Sequence, residues 1–275
     1  MMKQRIITAI VLGIVAIPVC AFSGTVVFPI VWAILGAVGV YELLGCMGTK
    51  NNRFISFPLY ILAIFAPFAV RYFRNELQEY SAVIVFSLFL YSLYLLAVSV
   101  FSYEKNQNVD MNKILASVLV SLYIIGSVSA IVFIRDVNGG EYYWYFIFIG
   151  AWVTDIFAYF TGMLFGKHKL IPAVSPKKTV EGAIGGVVFC VAFFVGYGAL
   201  VNYFSQYDIS LILLAIAGLL SALVSMIGDL SMSVIKRTYG IKDYGKIFPG
   251  HGGVLDRFDS ILAVAIVMAL FLANR

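Results

Sequence analysis

Residues 233–259 combine acidic, basic and glycine residues within a chain that is otherwise strongly apolar. The segment reads SVIKRTYGIKDYGKIFPGHGGVLDRFD. Carboxylate oxygens bind hard divalent cations, and lysine or arginine side chains bind phosphate groups. A segment that carries both, between stretches apolar enough for membrane helices, indicates a metal-assisted phosphate site at the surface of a bilayer.

Three aspartates at this segment are candidate metal ligands. Asp229 ends one apolar stretch, and Asp256 and Asp259 begin the next, three residues apart and therefore on one helix face. If the two stretches fold against each other, the carboxylates converge at one depth. They would suit Mg²⁺, which takes one or two carboxylates together with waters and substrate phosphates. The alternative is that Asp256 and Asp259 only favour the helix N-terminus.

Asp155 is a fourth candidate ligand, because it lies inside an apolar stretch, AWVTDIFAYF. A carboxylate at that depth costs about 2.5–3.5 kcal/mol on insertion scales, so it should face a polar cavity or a cation. A hydrogen-bonded structural role for Asp155 is the alternative.

The candidates for binding phosphate are basic residues of residues 233–259 and the residues interleaved with them. Glycines allow backbone N–H groups to approach an anion closely, and a loop histidine can contact phosphate, act as an acid or be inert. The alternative is that the basic residues only set membrane topology. The candidates are Lys236, Arg237, Lys242, Asp243, Lys246, His251, Gly252, Gly253 and Arg257.

A second basic motif, SPKKTVEG, begins at Ser175. Within it, Thr179 is predicted to cap a helix, and Glu181 falls in the first turn, where a carboxylate favours the helix dipole. Lys177 and Lys178 lie just before this helix start, which predicts an anion-binding site. An ordinary capped membrane helix with lysines on the inner side is the alternative.

The composition predicts an integral membrane protein. Hydrophobic residues make up 62% of the 275 residues and charged residues 12%, whereas soluble domains average about 25% charged residues. We therefore predict an all-α, polytopic protein, because apolar stretches of about twenty residues span a bilayer as helices. Nine such stretches are present, at about 6–22, 25–46, 54–70, 81–102, 114–134, 143–165, 180–203, 209–229 and 255–273.

These spans are predicted to form a single membrane domain, 1–275, with two unlike halves. Residues 1–135 carry almost no ionisable residue within their apolar stretches, Glu42 being the exception, and read as scaffold helices. Residues 136–275 contain every candidate site residue and read as the catalytic half.

Basic residues are distributed unevenly between the predicted loops. With nine spans and an internal N-terminus, all but four of the 19 Lys and Arg residues lie inside. This bias follows the positive-inside rule and predicts that residues 233–259 face the cytoplasm from the cell membrane. The net charge of +5 then belongs mainly to a membrane surface and requires no nucleic-acid partner. The four outer residues are Arg71, Arg74, Arg135 and Arg275.

The pattern S-x-I-K-R-x4-K-D-x-G-x2-F-P-x-H-G-G-V-x-D-R-F-D, from Ser233 to Asp259, resembles the signature of the phosphatidate cytidylyltransferase family. The SPKKTVEG motif and the placement of Asp155 and Asp229 also resemble that family, and the first half of the chain does so only in hydrophobic pattern. The resemblance implies an enzyme that joins CTP and phosphatidic acid to give CDP-diacylglycerol and pyrophosphate. It also implies Mg²⁺ held by Asp229 and Asp256, a monovalent cation such as K⁺ beside it, and a homodimer.

The implied chemistry suits the residues present. The nucleophile is a phosphate monoester, whose second pKa of about 6 leaves it largely anionic at pH 7. The enzyme must therefore neutralise charge and align an in-line attack, and it needs no general base. We expect catalysis to rest on Asp229, Asp256, Lys246, His251 and Arg257.

Two other functions remain open from the residues alone. A CTP- or ATP-dependent kinase of an isoprenoid or lipid alcohol would need a base, for which Asp155 or His251 are available. An ion-coupled transporter would use Asp155 as its ion site, but such proteins show corresponding broken helices in two halves, and this chain is asymmetric.

Overall fold

Long apolar α-helices account for most of the structure, a computed structural model that describes residues 13–14, 16–73, 90–94, 96–98 and 110–273. Within those ranges, all of the long helices except the last are apolar and long enough to cross a membrane. The last has 19 residues and begins with a charged turn. The helices are α1 (Val27–Met47), α2 (Arg53–Tyr72), α3 (Met111–Asp136), α4 (Gly140–Phe165), α5 (Val180–Phe204), α6 (Leu211–Thr238) and α7 (Leu255–Ala273).

These helices confirm the prediction of an all-α membrane protein. Each of the seven coincides with a predicted span. The predicted spans 6–22 and 81–102 are only partly covered by the described residues, so the count of nine stays a prediction. Helix α6 differs from its prediction, because it continues beyond residue 229 to Thr238.

The chain reversals gather at two opposite ends of the bundle. At one end, Arg71 donates to the Gly24 carbonyl oxygen at 2.7 Å and pairs with Asp136 at 3.4 Å. At the other end, the Lys113 ammonium lies 5.8 Å from the ring centroid of Tyr239. Both basic motifs lie at this second end, as the alternation of spans predicts.

The helices pack in two groups that share α7. Helices α1, α2 and α3 pack on one another, as do α4, α5 and α6, and α7 contacts both α3 and α6. The buried side of α7 includes Leu262, Val264 and Met268. The division into residues 1–135 and 136–275 stays a prediction, and α7 is the element that joins the two groups.

Helix α4 contains a π-helical turn, Ile149–Val153, which ends two residues before Asp155. Such turns are frequent at functional sites. Gly150 in this turn makes a close approach, since an added Cβ would lie 2.8 Å from Val264 Cγ1 and 3.2 Å from Ser221 Cβ. The turn therefore sets α4 directly against α6 and α7, beside the candidate ligand Asp155.

A short β-hairpin precedes α5 and departs from the predicted all-helical pattern. Its strands, β1 (Lys169–Ile171) and β2 (Ser175–Thr179), pair antiparallel. The second basic motif thus begins as a strand. Pro176 favours an extended residue before it, and Thr179 is itself extended, as a helix N-cap residue must be.

Two glycines of α5 test the close contact between α4 and α5. Gly186→Ala should lower the thermal unfolding midpoint in detergent, because the added Cβ would lie 2.8 Å from the Thr154 carbonyl oxygen. Gly196→Ala is the matched control, since no described atom lies within 4 Å of its Cβ position. It should be neutral or stabilise the helix by up to about 1 kcal/mol. Equal midpoint shifts for the two variants would contradict this packing.

Candidate functional site

Asp256, at the start of α7, joins three parts of the site through one buried carboxylate. Its Oδ1 accepts a hydrogen bond from Lys236 Nζ at 2.7 Å. Its Oδ2 accepts from the backbone N–H groups of Tyr244 at 2.7 Å and Gly253 at 2.9 Å. The side chains of this ion pair are only 11% (Lys236) and 2% (Asp256) exposed. Lys236, predicted to bind phosphate, is therefore engaged inside the fold.

The signature loop, residues 239–254 between α6 and α7, is a series of tight turns. Gly252 has a φ of +88°, and its carbonyl oxygen accepts from Phe248 N–H at 2.9 Å. The Tyr244 hydroxyl donates to the Met232 carbonyl oxygen at 2.9 Å, and burial raises the pKa of this tyrosine well above its ordinary value. Tyr244 is thus a permanent donor that ties the loop to α6.

The structure gives Gly252 and Gly253 roles other than the predicted approach of an anion to backbone N–H groups. Gly252 supplies a left-handed turn, which side chains disfavour. Gly253 gives its N–H to Asp256. The N–H of Gly253 is therefore already occupied by the carboxylate that holds the loop.

The cationic side chains of the signature segment that remain accessible lie around this loop. The guanidinium of Arg257 is exposed, and its Nε donates to the His251 carbonyl oxygen at 2.8 Å. The His251 ring is half-buried, and its Nδ1 has no hydrogen-bond partner within the described residues. Four other predicted site residues are exposed on the same segment, namely Arg237, Lys242, Asp243 and Lys246.

Three aspartates from three helices form a second group, here called the acidic cluster: Asp155, Asp229 and Asp259. They lie close enough to interact electrostatically. Asp155 is exposed and accepts from Ser260 Oγ at 3.3 Å. Asp229 is half-buried and accepts from Ser233 Oγ at 3.5 Å. Asp259 is buried, so the cluster opens towards the side of Asp155.

Of Asp229, Asp256 and Asp259, which were predicted to converge, only Asp229 and Asp259 lie together. Asp259 lies beside Asp229, and the Cβ of an alanine at Gly228 would lie 2.9 Å from the Asp259 carbonyl oxygen. Asp256 instead faces Lys236 near the end of α6. The cause is the extension of α6, which places Asp229 about 14 Å before the helix end at 1.5 Å per residue. Among the described residues, no group of three or more His, Cys, Asp or Glu side chains is placed so that it could hold a metal ion.

The second basic motif reaches the acidic cluster through Lys178, whose ammonium pairs with the Asp229 carboxylate. Thr179 caps α5 as predicted, accepting from Gly182 N–H at 3.1 Å. Glu181 accepts from His168 N–H at 3.2 Å and lies 2.6 Å from His168 Nδ1, which ties the base of the hairpin to α5. Two further predicted residues lie on β2, half-buried and exposed respectively: Ser175 and Lys177.

Sequence reasoning missed one residue of the site, Glu42 of α1. It is 5% exposed, and its carboxylate accepts from the N–H groups of Val254 and Leu255, both at 3.0 Å. No spacing rule connects a helix to a loop 212 residues away. The available signal was a charged residue within an apolar span, which marks a functional position by default.

Fold and site together define a polytopic α-helical membrane protein with an acidic cluster and accessible cations at one end of its helices. The chain belongs to the cytidylyltransferase family, whose sequence profile matches residues 3–274.

Named relatives match the chain over nearly its whole length. It is 34% identical over 276 residues to a phosphatidate cytidylyltransferase of Staphylococcus saprophyticus, covering 98% of this chain and 99% of the relative. It is 35% identical over 274 residues to that of Staphylococcus aureus (strain COL), with the same coverage. It is 32% identical over 279 residues to that of Bacillus subtilis (strain 168), covering 99% and 98%. The resemblance is confirmed and includes the first half of the chain.

The two ion pairs of the site should differ in their effect on stability. Asp256→Asn leaves the buried Lys236 without a counter-charge, and breaking a buried pair costs about 3–5 kcal/mol. Asp229→Asn breaks a pair whose side chains are about one-quarter exposed, and Asp155 remains as a second carboxylate near Lys178, so the loss should be smaller. Thermal unfolding in detergent measures both. A midpoint for Asp256→Asn as high as that for Asp229→Asn would contradict the buried clamp.

Proposed function

We propose that this protein is a phosphatidate cytidylyltransferase, which transfers CMP from CTP to phosphatidic acid. The observation that carries the proposal is the 32–35% identity, over nearly the full length, to enzymes of that name. The segment from Ser233 to Asp259, which resembles the family signature, forms the signature loop and the helix ends around it.

The reaction needs charge neutralisation more than proton transfer. A phosphate oxygen of phosphatidic acid forms a bond to the α-phosphorus of CTP while the bond to the β-phosphate oxygen breaks and pyrophosphate leaves. Positioning and electrostatic stabilisation dominate such transfers. The exposed cations at this end would position a triphosphate and stabilise its negative charge. They are Lys177, Arg237, Lys242, Lys246 and Arg257.

Magnesium is part of the proposal, and the acidic cluster suits it. Three carboxylates from separate helices face one paired lysine, so oxygen donors and negative charge are in excess, as a hard divalent cation requires. Asp229, with Asp155 or Asp259, would supply one or two carboxylate ligands, and waters and substrate phosphates would supply the others, as is usual for this ion. Asp256 already accepts three hydrogen bonds, and we assign it to holding the loop. When bound, magnesium would neutralise charge on the reacting phosphates.

We further propose nine spans with the site facing the cytoplasm, where CTP is available. The loops 48–52, 166–179 and 239–254 share one end of the bundle, and together with the helix ends beside them they carry most of the inner basic residues, which supports this orientation. A monovalent cation such as K⁺ and a homodimer rest on the family alone. The mass of the detergent-solubilised protein tests the dimer.

Labelling of single cysteines tests the orientation. A cysteine in place of Lys242 should react with a membrane-impermeant thiol reagent only after the membrane is opened, because the signature loop is predicted to be internal. A cysteine in place of Tyr72, which is exposed at the opposite end, should react in intact cells. The reverse labelling pattern would show that the protein has the opposite orientation in the membrane.

Purified protein should convert CTP and phosphatidic acid to CDP-diacylglycerol and pyrophosphate in mixed micelles. CTP labelled at the α-phosphorus should transfer its label to the lipid, and γ-labelled CTP should release it as pyrophosphate. Transfer of the γ-label to a lipid alcohol would identify a kinase instead. No nucleotide-dependent product, together with ion uptake in vesicles, would favour the transporter.

The same assay tests the metal. Activity should disappear with EDTA and return with magnesium, and Asp229→Asn should lower kcat at least tenfold and shift the magnesium requirement upwards. Glu141→Gln is the matched control, because Glu141 lies at the opposite end of the bundle, in the first turn of α4. A normal magnesium response in Asp229→Asn would remove Asp229 from the metal site.

A further inference from the structure

We propose that Glu42 is a positioning residue for cytidylyl transfer, which fixes the signature loop and the first turn of α7 from the opposite half of the chain. The inference rests on the proposed function for its kinetic consequence, but its structural part stands alone. It gives a role to the one acidic or basic side chain of α1.

The carboxylate of Glu42 caps α7 from outside that helix. The first N–H groups of a helix have no partner within it, and a local Ser, Thr, Asp or Asn usually supplies one. Here Glu42 Oε1 accepts from Val254 N–H and Oε2 from Leu255 N–H, both at 3.0 Å. A buried carboxylate that satisfies two backbone donors at once fixes both the height and the rotation of the segment it binds.

Asp256 completes this arrangement from the other side. It binds the N–H of Gly253, so the amides of three successive residues, 253 to 255, are all taken by two carboxylates. These three N–H groups are therefore not available to a substrate phosphate. Its binding falls to the side chains that the fixed loop presents, such as Lys246 and Arg257.

Two glycines of the signature loop are shaped by Glu42. A Cβ at Gly245 or at Gly253 would collide with the Glu42 carboxylate. Neither glycine has a positive φ, so backbone conformation does not require glycine at these positions. Glycine is required instead because the Glu42 carboxylate occupies the space that a side chain would fill. The absence of side chains at Gly245 and Gly253 lets the loop approach α1 closely.

This contact has a kinetic consequence. The loop and the first turn of α7 carry His251, Asp256 and Arg257, and Arg257 is itself fixed on the His251 carbonyl oxygen. A displacement of about 1 Å in such a group can slow a positioned reaction about 100-fold. Loss of Glu42 should therefore lower turnover while the rest of the bundle remains folded.

The first experiment replaces Glu42 in the full-length protein. Glu42→Gln keeps the shape but turns an amide donor towards a backbone N–H, and it should lower kcat at least tenfold. Amide hydrogen exchange should accelerate at least tenfold in peptides covering residues 244–256 and not elsewhere. Thr49→Val is the matched control, because it removes a buried hydrogen bond to Ser117 at the same end without touching the loop. It should leave kcat and this exchange unchanged.

A double-mutant cycle probes the same contact from the loop. Gly245→Ala and Glu42→Ala should each lower kcat at least tenfold, and the double variant should be within about threefold of the worse single one, because alanine at 42 leaves room for the new methyl group. Contacting residues show this non-additivity. Losses that multiply would overturn the proposal, as would unchanged exchange or a kcat within twofold of wild type in Glu42→Gln. An inactive wild type would refute the proposed function instead, and hydrogen exchange would still decide the role of Glu42.

Discussion

The buried hydrogen bonds of Asp256 are the interaction on which the site depends. One carboxylate joins the end of α6, through Lys236, to two points of the signature loop and to the start of α7. A buried ion pair adds little net stability over an apolar pair but becomes costly when half of it is removed. The contribution of this ion pair is to fix one arrangement of α6, the signature loop and α7 relative to one another. Without it, a glycine-rich loop of 16 residues (239–254) would have few fixed contacts between two helices.

Charged groups in this protein follow two different rules. Lys236, Asp256 and Glu42 are buried; Asp256 and Glu42 bind backbone N–H groups, and Lys236 pairs with Asp256. Asp155, Lys242 and Lys246 are exposed and remain available to a substrate or an ion. The separation matters because both kinds occur within residues 233–259, where Lys236 and Asp256 are buried while Lys242 and Lys246 are exposed. There, burial distinguishes a residue that shapes the site from one that acts in it.

Much of the fold and the composition of the site were predictable from the sequence. Hydropathy located the helices, and the capping role of Thr179 followed from its position before Glu181. The partners of the aspartates were not predictable, because residue 229 ends an apolar stretch but not the helix, which continues through a polar turn to Thr238. Glu42 was missed because its partners are backbone N–H groups, which leave no trace in side-chain patterns.

The π-helical turn in α4 acts as a rotational offset. Each residue of an α-helix turns the chain by about 100°, so the extra residue accommodated at Ile149–Val153 rotates everything that follows relative to a regular helix. Asp155 comes two residues later and shares its group with Asp229 and Asp259. The direction in which this carboxylate points is therefore encoded by the length of the preceding turn, and a change of one residue there would alter the site without replacing any of its ligands.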